Sequence, residues 1–350
     1  MPINKGYYPH LDGLRAVAVI LVLLVHSGFF AFNIGWIGVP VFFVLSGFLI
    51  TGILLDNRHS EHYFSTFYLR RILRIFPIYY LVLFFLFAWG LIMNYDVSQF
   101  FYYLFYLQSF TISANQQPIF ANGLMGHTWS LSVEEIFYLI WPAIVFMISR
   151  KNLGRTCFVL IAFSIAFKLY QVKSGTETMA LLSVFGNLDC LMTGALLSLY
   201  LDKNNFPDLP VKLKLYFLTI SLATLLLIIS QYVNFDARLR LLFKILLSVS
   251  VSWFSFFLIM NLIQSGAKAG FVSKILTNNS VLFLGKISYG IYLYHVPVYE
   301  FISSFIFHYH IPLNPVMALL IKISITILIA AISWRLIEKP ILRLKNKWQY

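Results

Sequence analysis

From Leu11 to Phe30 the chain reads LDGLRAVAVILVLLVHSGFF, an apolar run that carries Arg15 near its start and His26 deep inside it. About twenty apolar residues in a helix cross the hydrocarbon core of a bilayer, so the run reads as a membrane span. If it is helical, the eleven steps of about 100° from Arg15 to His26 make three turns plus roughly 20°. Both side chains then project from one face, about 16 Å apart along the axis. An ionisable side chain in lipid is costly unless it faces the bundle interior or a wet cavity, so the pair marks a pathway or site. The bland alternative is a positive anchor at Arg15 and a hydrogen-bonded packing residue at His26.

Composition fixes the class. Of 350 residues, 60% are hydrophobic and only 11% charged, far from the roughly quarter-charged soluble average. The chain reads as an all-α, polytopic integral membrane bundle. Ten apolar runs suit spans near 11–33, 37–55, 75–94, 135–149, 156–172, 180–201, 214–233, 241–263, 287–307 and 315–337. With no repeat, linker or appended soluble segment apparent, residues 1–350 read as a single transmembrane domain. No cleavable leader is apparent, because the first run is longer than such a segment needs. The formal charge of +13 is scattered between apolar runs and forms no nucleic-acid-binding stripe, so membrane lipids and topology account for it better. Cys157 and Cys190 fall in apolar runs and read as buried thiols.

Basic residues orient the layout, since cytoplasmic loops collect Lys and Arg. The N-terminal side holds Lys5, Arg15, Arg58, Arg70, Arg71, Arg74, Arg150, Lys151, Arg155, Lys203, Lys212, Lys214, Lys268, Lys274 and Lys286, and the tail adds Arg335, Lys339, Arg343, Lys345 and Lys347. Only Lys168, Lys173, Arg238, Arg240 and Lys244 fall near the other side, with Lys322 inside the last span. Both termini are therefore expected in the cytoplasm. The link Tyr95 to Glu134 has no Lys or Arg and is rich in aromatics, which suits an interfacial or re-entrant lid over a cavity.

Three stretches besides the first could carry chemistry. In FYLRRILRIFPIYY, just before the third span, Arg70, Arg71 and Arg74 are three and four apart, so two guanidinium forks can meet one phosphate-bearing ligand. Simple anchoring by the positive-inside rule is the alternative. In HTWSLSVEEIFYLIWP, Ser132 and Glu135 have capping-box spacing, whereas Glu134 has no such structural task and could orient a histidine or accept a proton. Asp189 and His295, each inside a span, are expected to face the bundle interior in hydrogen-bonded structural roles. His308 and His310 are too weak a pattern for a metal site, and no metal is predicted anywhere. WRLIEKP near the end suits a local Arg335–Glu338 salt bridge and a helix stop at Pro340.

Taken together, DGLRAVAV with Arg15 and His26, PVFFVLSGFLI, RRILRIFPIYY, WSLSVEEIFYLIWP and ISYGIYLYH followed by IEKP resemble the membrane-bound acyltransferase 3 family, which includes bacterial O-antigen and exopolysaccharide acetylases. The resemblance covers nearly the whole chain. It implies activity-linked roles for Arg15, His26, Arg71 and Arg74, and transfer of an acyl group from cytoplasmic acyl-CoA to an acceptor at the outer face, often a sugar. Related sequences often carry an arginine shortly before the sixth-span aspartate, where this chain has Asn187, so no ligand role is carried to that region. Many relatives also have a C-terminal hydrolase-like domain, which leaves this chain dependent on its membrane core or on a separate envelope partner.

The expectation is then that Arg15, Arg71 and Arg74 hold the phosphorylated end of acyl-CoA, with acetyl-CoA the donor in view. His26 serves as general base on an acceptor hydroxyl of a carbohydrate or lipid-linked glycan, aided by Glu134 or Glu135. Direct transfer and an acyl-histidine intermediate both remain open. A bacterial inner-membrane location follows from the same resemblance. The rival class is a secondary transporter, an exporter of a polysaccharide or lipid precursor, in which the same groups form a relay.

Overall fold

The computed structural model describes residues 7–114, 120–203, 211–265 and 270–344. Lys5, Lys268, Lys345 and Lys347, and the side chains of Lys203, Lys212 and Lys214, all used in the topology argument, lie outside the described residues. Among the described residues the chain is helical, without strands. Helix α1 (Pro9–Val25) opens on a proline, whose missing N–H costs nothing in the first turn, and Asp12 meets the positive end of the helix dipole. It ends at His26 (φ −83°, ψ 4°), and Gly28 (φ +80°) turns the chain into tight 3-10 turns over Phe30–Ile37. His26 therefore sits at a helix end, where a helix running on to residue 33 was expected. A left-handed backbone at Gly28 is the physical break.

Helices α2 (Gly38–Asp56) and α3 (Tyr63–Ile92) follow. The latter begins well before the apolar run at 75, because Tyr63, Thr66 and Phe67 already continue the buried stripe of Ile75, Ile78, Tyr79, Val82, Leu83 and Leu86. The arginine cluster thus lies inside a helix and not ahead of one. The next link contains short α4 (Phe100–Leu104) and α5 (Gln108–Ser113). The link packs into the bundle, where Tyr79 OH donates to Tyr103 O, Tyr79 and Tyr106 stack at 4.1 Å, and Gln108 Nε2 donates to Thr128 O. Residues 115–119 of this link are outside the described set.

Helices α6 (Trp129–Met147), α7 (Arg150–Ser174), α8 (Glu177–Leu182), α9 (Val184–Lys203), α10 (Val211–Ser230) and α11 (Ala237–Ser265) complete the middle of the bundle. Then come α12 (Phe271–Leu276), α13 (Asn279–Lys286), α14 (Ser288–His308), α15 (Pro315–Ser333) and α16 (Lys339–Leu344). Each of the ten predicted runs overlaps a helix, although the first run's helix ends at Val25 and the run at 180–201 crosses the break between α8 and α9. By length and composition seven of the described helical stretches can cross a membrane, or eight if α13 and α14, bent by 70° at their junction, are one span. Bulky apolar side chains such as Phe84, Leu139, Val159, Leu218 and Leu328 point outward. Such a surface is stable against lipid, not water.

Close approach of α2 and α9 depends on Gly47 and Gly194. A Cβ on Gly47 would strike the Leu191 carbonyl, and one on Gly194 the Val44 carbonyl, the small-residue contact that lets membrane helices approach at the backbone. Cys157 and Cys190 are buried free thiols. Lys168, expected near the outer side, is instead fully buried on α7, where its Nζ donates to both carboxylate oxygens of Asp189 at 2.8 and 2.9 Å. The expected stop at Pro340 is absent: a wide turn over Trp334–Glu338 passes directly into α16. Glu338 accepts from Ser333 Oγ at 3.4 Å, while Arg335 faces outward, so the Arg335–Glu338 bridge does not form.

Candidate functional site

Five helices converge on a narrow cavity of about 90 Å³. Arg15 enters it from α1, Ser46 from α2, Arg71 and Arg74 from α3, Ser130, Glu134, Glu135 and Tyr138 from α6, and Ser288, Tyr289 and Tyr292 from α14. Five of the six residues singled out in the sequence meet here. Helical spacing explains why: Arg71 and Arg74 are three apart, while Ser130, Glu134 and Tyr138 form a four-residue ladder along one side of α6.

Capping does not occupy Glu135. Helix α6 begins at Trp129 after Thr128, so Ser132 is already inside it and its hydroxyl donates to Tyr106 O at 2.5 Å. Glu135 is left to face the cavity. Ser46 Oγ donates to Glu134 Oε1 at 2.5 Å and accepts from Tyr138 OH at 3.2 Å. Arg15 donates to Asp12 Oδ1 at 2.9 Å, and Tyr7 OH donates to the other carboxylate oxygen at 2.7 Å. The Arg71 guanidinium lies 5.9 Å from the Phe67 ring centre and 5.8 Å from that of Tyr138, cation–π contacts that hold the fork in place. Arg70 does not line this cavity.

His26 lines a second cavity, of about 300 Å³, with Trp36, His127, Trp129, Asn187 and Ser248. The two cavities share walls: Val39 and Tyr292 line both. Tyr292 is fixed there because its hydroxyl donates to His127 O at 2.6 Å and accepts from Ser130 Oγ at 2.6 Å. Neither carboxylate, Glu134 or Glu135, lines the histidine cavity.

What His26 meets is another histidine. Its Nδ1 lies 2.9 Å from Val22 O and 3.3 Å from His295 Nε2. Beside a carbonyl oxygen Nδ1 must carry the proton, which leaves the His26 Nε2 lone pair as the basic position. The same logic holds at His295, where Nδ1 donates to Tyr292 O at 2.5 Å and leaves Nε2 as acceptor toward His26. His127 adds a third ring, 4.6 Å from His295. No group of three His, Cys, Asp or Glu among the described residues is arranged to hold a metal ion.

Sequence reasoning missed Tyr292 and gave His295 only a structural role. The available signal was the spacing of Ser288, Tyr292, His295 and Tyr299, which places polar groups along one face of an apolar helix. Ser46, alone amid PVFFVLSGFLI, was a second unused signal. Asn187, where no ligand role was carried, donates to Leu181 O and Ser183 O while lining the histidine cavity.

Comparison with known proteins adds a family. A family model described as an acyltransferase domain matches residues 8–335. The peptidoglycan O-acetyltransferase OatA of Listeria monocytogenes is 29% identical over 374 aligned residues, covering 97% of this chain and 56% of that protein. YrhL of Bacillus subtilis, provisionally named a peptidoglycan O-acetyltransferase, is 32% identical over 97% of this chain and 55% of its own length. A Staphylococcus aureus protein provisionally named an O-acetyltransferase is 27% identical over 95% of this chain and 57% of its own. The chain therefore spans about half the length of the curated relatives it matches. No solved structure matches it.

Proposed function

The chain belongs to the acyltransferase-domain family, and on that premise we propose that it is a membrane O-acyltransferase moving an acetyl group from acetyl-CoA to a glycan hydroxyl. The donor comes from the cytoplasm, and the acceptor waits at the far side of a bacterial inner membrane with both termini cytoplasmic. The observation that carries this reading is the adjoining pair of cavities, with three arginines lining one and His26 the other, and Val39 and Tyr292 in the walls of both.

Arg15, Arg71 and Arg74 bind the phosphorylated end of the donor, since guanidinium forks match phosphate oxygens in two-point contacts. A cavity of about 90 Å³ is well below the ~300 Å³ at which pockets begin to enclose a drug-sized ligand. It takes the diphosphate and the slender arm, and the nucleotide base stays outside it. The acyl thioester at the end of that arm passes Tyr292 toward His26, across the roughly 16 Å separating Arg15 from His26 along α1.

His26 Nε2 takes the proton of the acceptor hydroxyl as its oxygen attacks the thioester carbonyl. Collapse of the tetrahedral adduct breaks the carbon–sulfur bond, the acyl group stays on the acceptor oxygen, and the CoA sulfur leaves with the proton returned by His26. His295 steadies the imidazolium formed between these steps through its Nε2 lone pair. Glu134 and Glu135 offset the arginine charge and exchange protons with the donor side. The helices act as one transmembrane unit, and the acceptor is delivered by the envelope or by a separate partner protein.

Full-length protein in proteoliposomes, given labelled acetyl-CoA on one side and oligosaccharide on the other, tests the reading. Label becomes covalently attached to the sugar with wild type and fails to do so with His26→Ala, which still binds donor. Undiminished transfer by His26→Ala removes the assigned base. Movement of sugar without label would make the protein a transporter.

A further inference from the structure

His127 is held just ahead of α6 in the 3-10 turn Gly126–Thr128, and that turn is pinned by three hydrogen bonds. Tyr292 OH donates to His127 O at 2.6 Å, Gln108 Nε2 donates to Thr128 O at 2.9 Å, and Thr128 Oγ1 donates to Met125 O at 2.7 Å. The imidazole packs edge to face on His295, 4.6 Å between centres, and the residue is only 7% exposed. A group so fixed has little freedom left to lose when it meets a ligand.

Its ring nitrogens are unspent. The backbone carbonyls of Tyr292 and Leu293 approach the ring, yet neither Nδ1 nor Nε2 makes a hydrogen bond of ordinary geometry to any described residue. Buried polar atoms are nearly always bonded, so an orphaned pair inside an apolar bundle points to a ligand. A neutral imidazole has one N–H and one lone pair whichever tautomer it adopts, so a donor is present in either case. The ring lines the His26 cavity beside Tyr292, which is bonded to His127 and also lines the arginine cavity. Two other donors of the His26 cavity are taken, since Asn187 Nδ2 donates to Leu181 O and Ser183 O and Lys244 pairs with Glu177.

We propose that the His127 N–H is the donor for the thioester carbonyl oxygen, which makes His127 a catalytic residue alongside the base His26; the proposal rests on the acyltransferase reading above. As the acceptor oxygen bonds to the carbonyl carbon and gives its proton to His26, the carbonyl π pair moves onto oxygen. There the His127 N–H stabilises the negative charge without giving up its proton. When that pair re-forms the double bond, the carbon–sulfur bond breaks and the leaving sulfur takes the proton from His26.

Two analogues of acetyl-CoA test the contact on the full-length purified protein without turnover. One is a ketone, with a methylene in place of the thioester sulfur; the other is ethyl-CoA, a thioether with no carbonyl. Wild type binds the ketone about tenfold more tightly, the scale of one hydrogen bond. His127→Phe, which keeps a ring against His295, binds the two alike. Isotope-edited infrared spectra place the bound ketone's carbonyl stretch at lower frequency on wild type than on His127→Phe. In the transfer assay His127→Phe lowers kcat about a hundredfold to a thousandfold, while the donor KM rises no more than about tenfold. His127→Gln, whose amide can donate, recovers part of the infrared shift and of the rate.

Equal affinity of wild type for ketone and thioether overturns the proposal, as does a bound carbonyl stretch at its hydrocarbon-solvent value; neither outcome needs a variant that folds. A preference for the ketone that survives in His127→Phe assigns the carbonyl to another donor and overturns it too. Binding of neither analogue by wild type rejects acetyl-CoA as the donor. Ketone selectivity that His127→Phe abolishes, in a protein that transfers no acetyl group, keeps the contact and rejects the acyltransferase reading.

Discussion

His295 Nε2 lies 3.3 Å from His26 Nδ1, with the two rings edge to face at 4.8 Å between centres. Because His295 spends its own Nδ1 proton on Tyr292 O, it can only accept from His26, and on the proposed reading its lone pair favours the protonated state that His26 visits during transfer. This is the orienting task first sought in Glu134 or Glu135. His295→Ala is expected to lower kcat about tenfold to a hundredfold, below the full loss of a general base, with donor binding intact. His295→Gln, whose side-chain oxygen can replace the Nε2 lone pair, should recover part of the rate. Equal damage by both variants would reduce His295 to a packing role.

Arginine charge in the first cavity is opposed by Asp12, which holds Arg15 at 2.9 Å. On the proposed reading, a donor phosphate and the Asp12 carboxylate compete for one guanidinium. Arg71→Ala and Arg74→Ala should each weaken acetyl-CoA binding about tenfold or more, since a hydrogen bond to a charged group contributes roughly 1.5–3 kcal/mol. Asp12→Asn should tighten it. Titration calorimetry with acetyl-CoA reads all three, and unchanged affinity in both arginine variants would dismantle the clamp.

Glu134, bonded to Ser46 and facing three arginines, can be neutralised without loss of shape. Glu134→Gln is expected to keep or improve donor affinity, because one negative charge leaves the cavity proposed to receive phosphate, while turnover falls about tenfold if the carboxylate exchanges protons. Loss of donor binding would instead assign Glu134 to the binding wall. Ser46→Ala is the companion variant, removing the bond to the carboxylate but leaving its charge.

Much of this site was legible in the residues. Arg15 was singled out by its cost in lipid, Arg71 and Arg74 by helical spacing, Glu134 by its lack of a capping task and Glu135 by capping-box spacing, with the arginines' link to activity implied by the family resemblance, and the bundle brings all five to one cavity. Helix ends were less legible. Gly28 breaks the first apolar run at a point where hydropathy alone gives no warning, and the α3 start at Tyr63 is hidden by arginines that hydropathy scores as loop. Ser132 misled for a related reason, since capping-box spacing recurs inside helices and only the true start at Trp129 excludes it. His295 needed the packing of α14 against α1, a relation between residues 269 positions apart that no local pattern encodes.

Lys168 and Asp189 provide a test of the fold independent of the chemistry. Both are buried, and Asp189 Oδ1 also accepts from Ser164 Oγ at 3.2 Å while Lys168 Nζ reaches Ser248 Oγ at 3.3 Å. Removing one partner strands the other charge away from water, typically at a cost of about 3–5 kcal/mol, whereas replacing both with apolar groups of similar volume is often neutral. Lys168→Met and Asp189→Leu are each expected to lower the melting temperature in detergent sharply. The double variant should return close to wild type and retain donor binding, because Arg15, Arg71 and Arg74 lie on other helices. If the double variant stays folded yet loses acyl transfer, the ion pair serves the histidine cavity beyond stability, which it adjoins through Ser248.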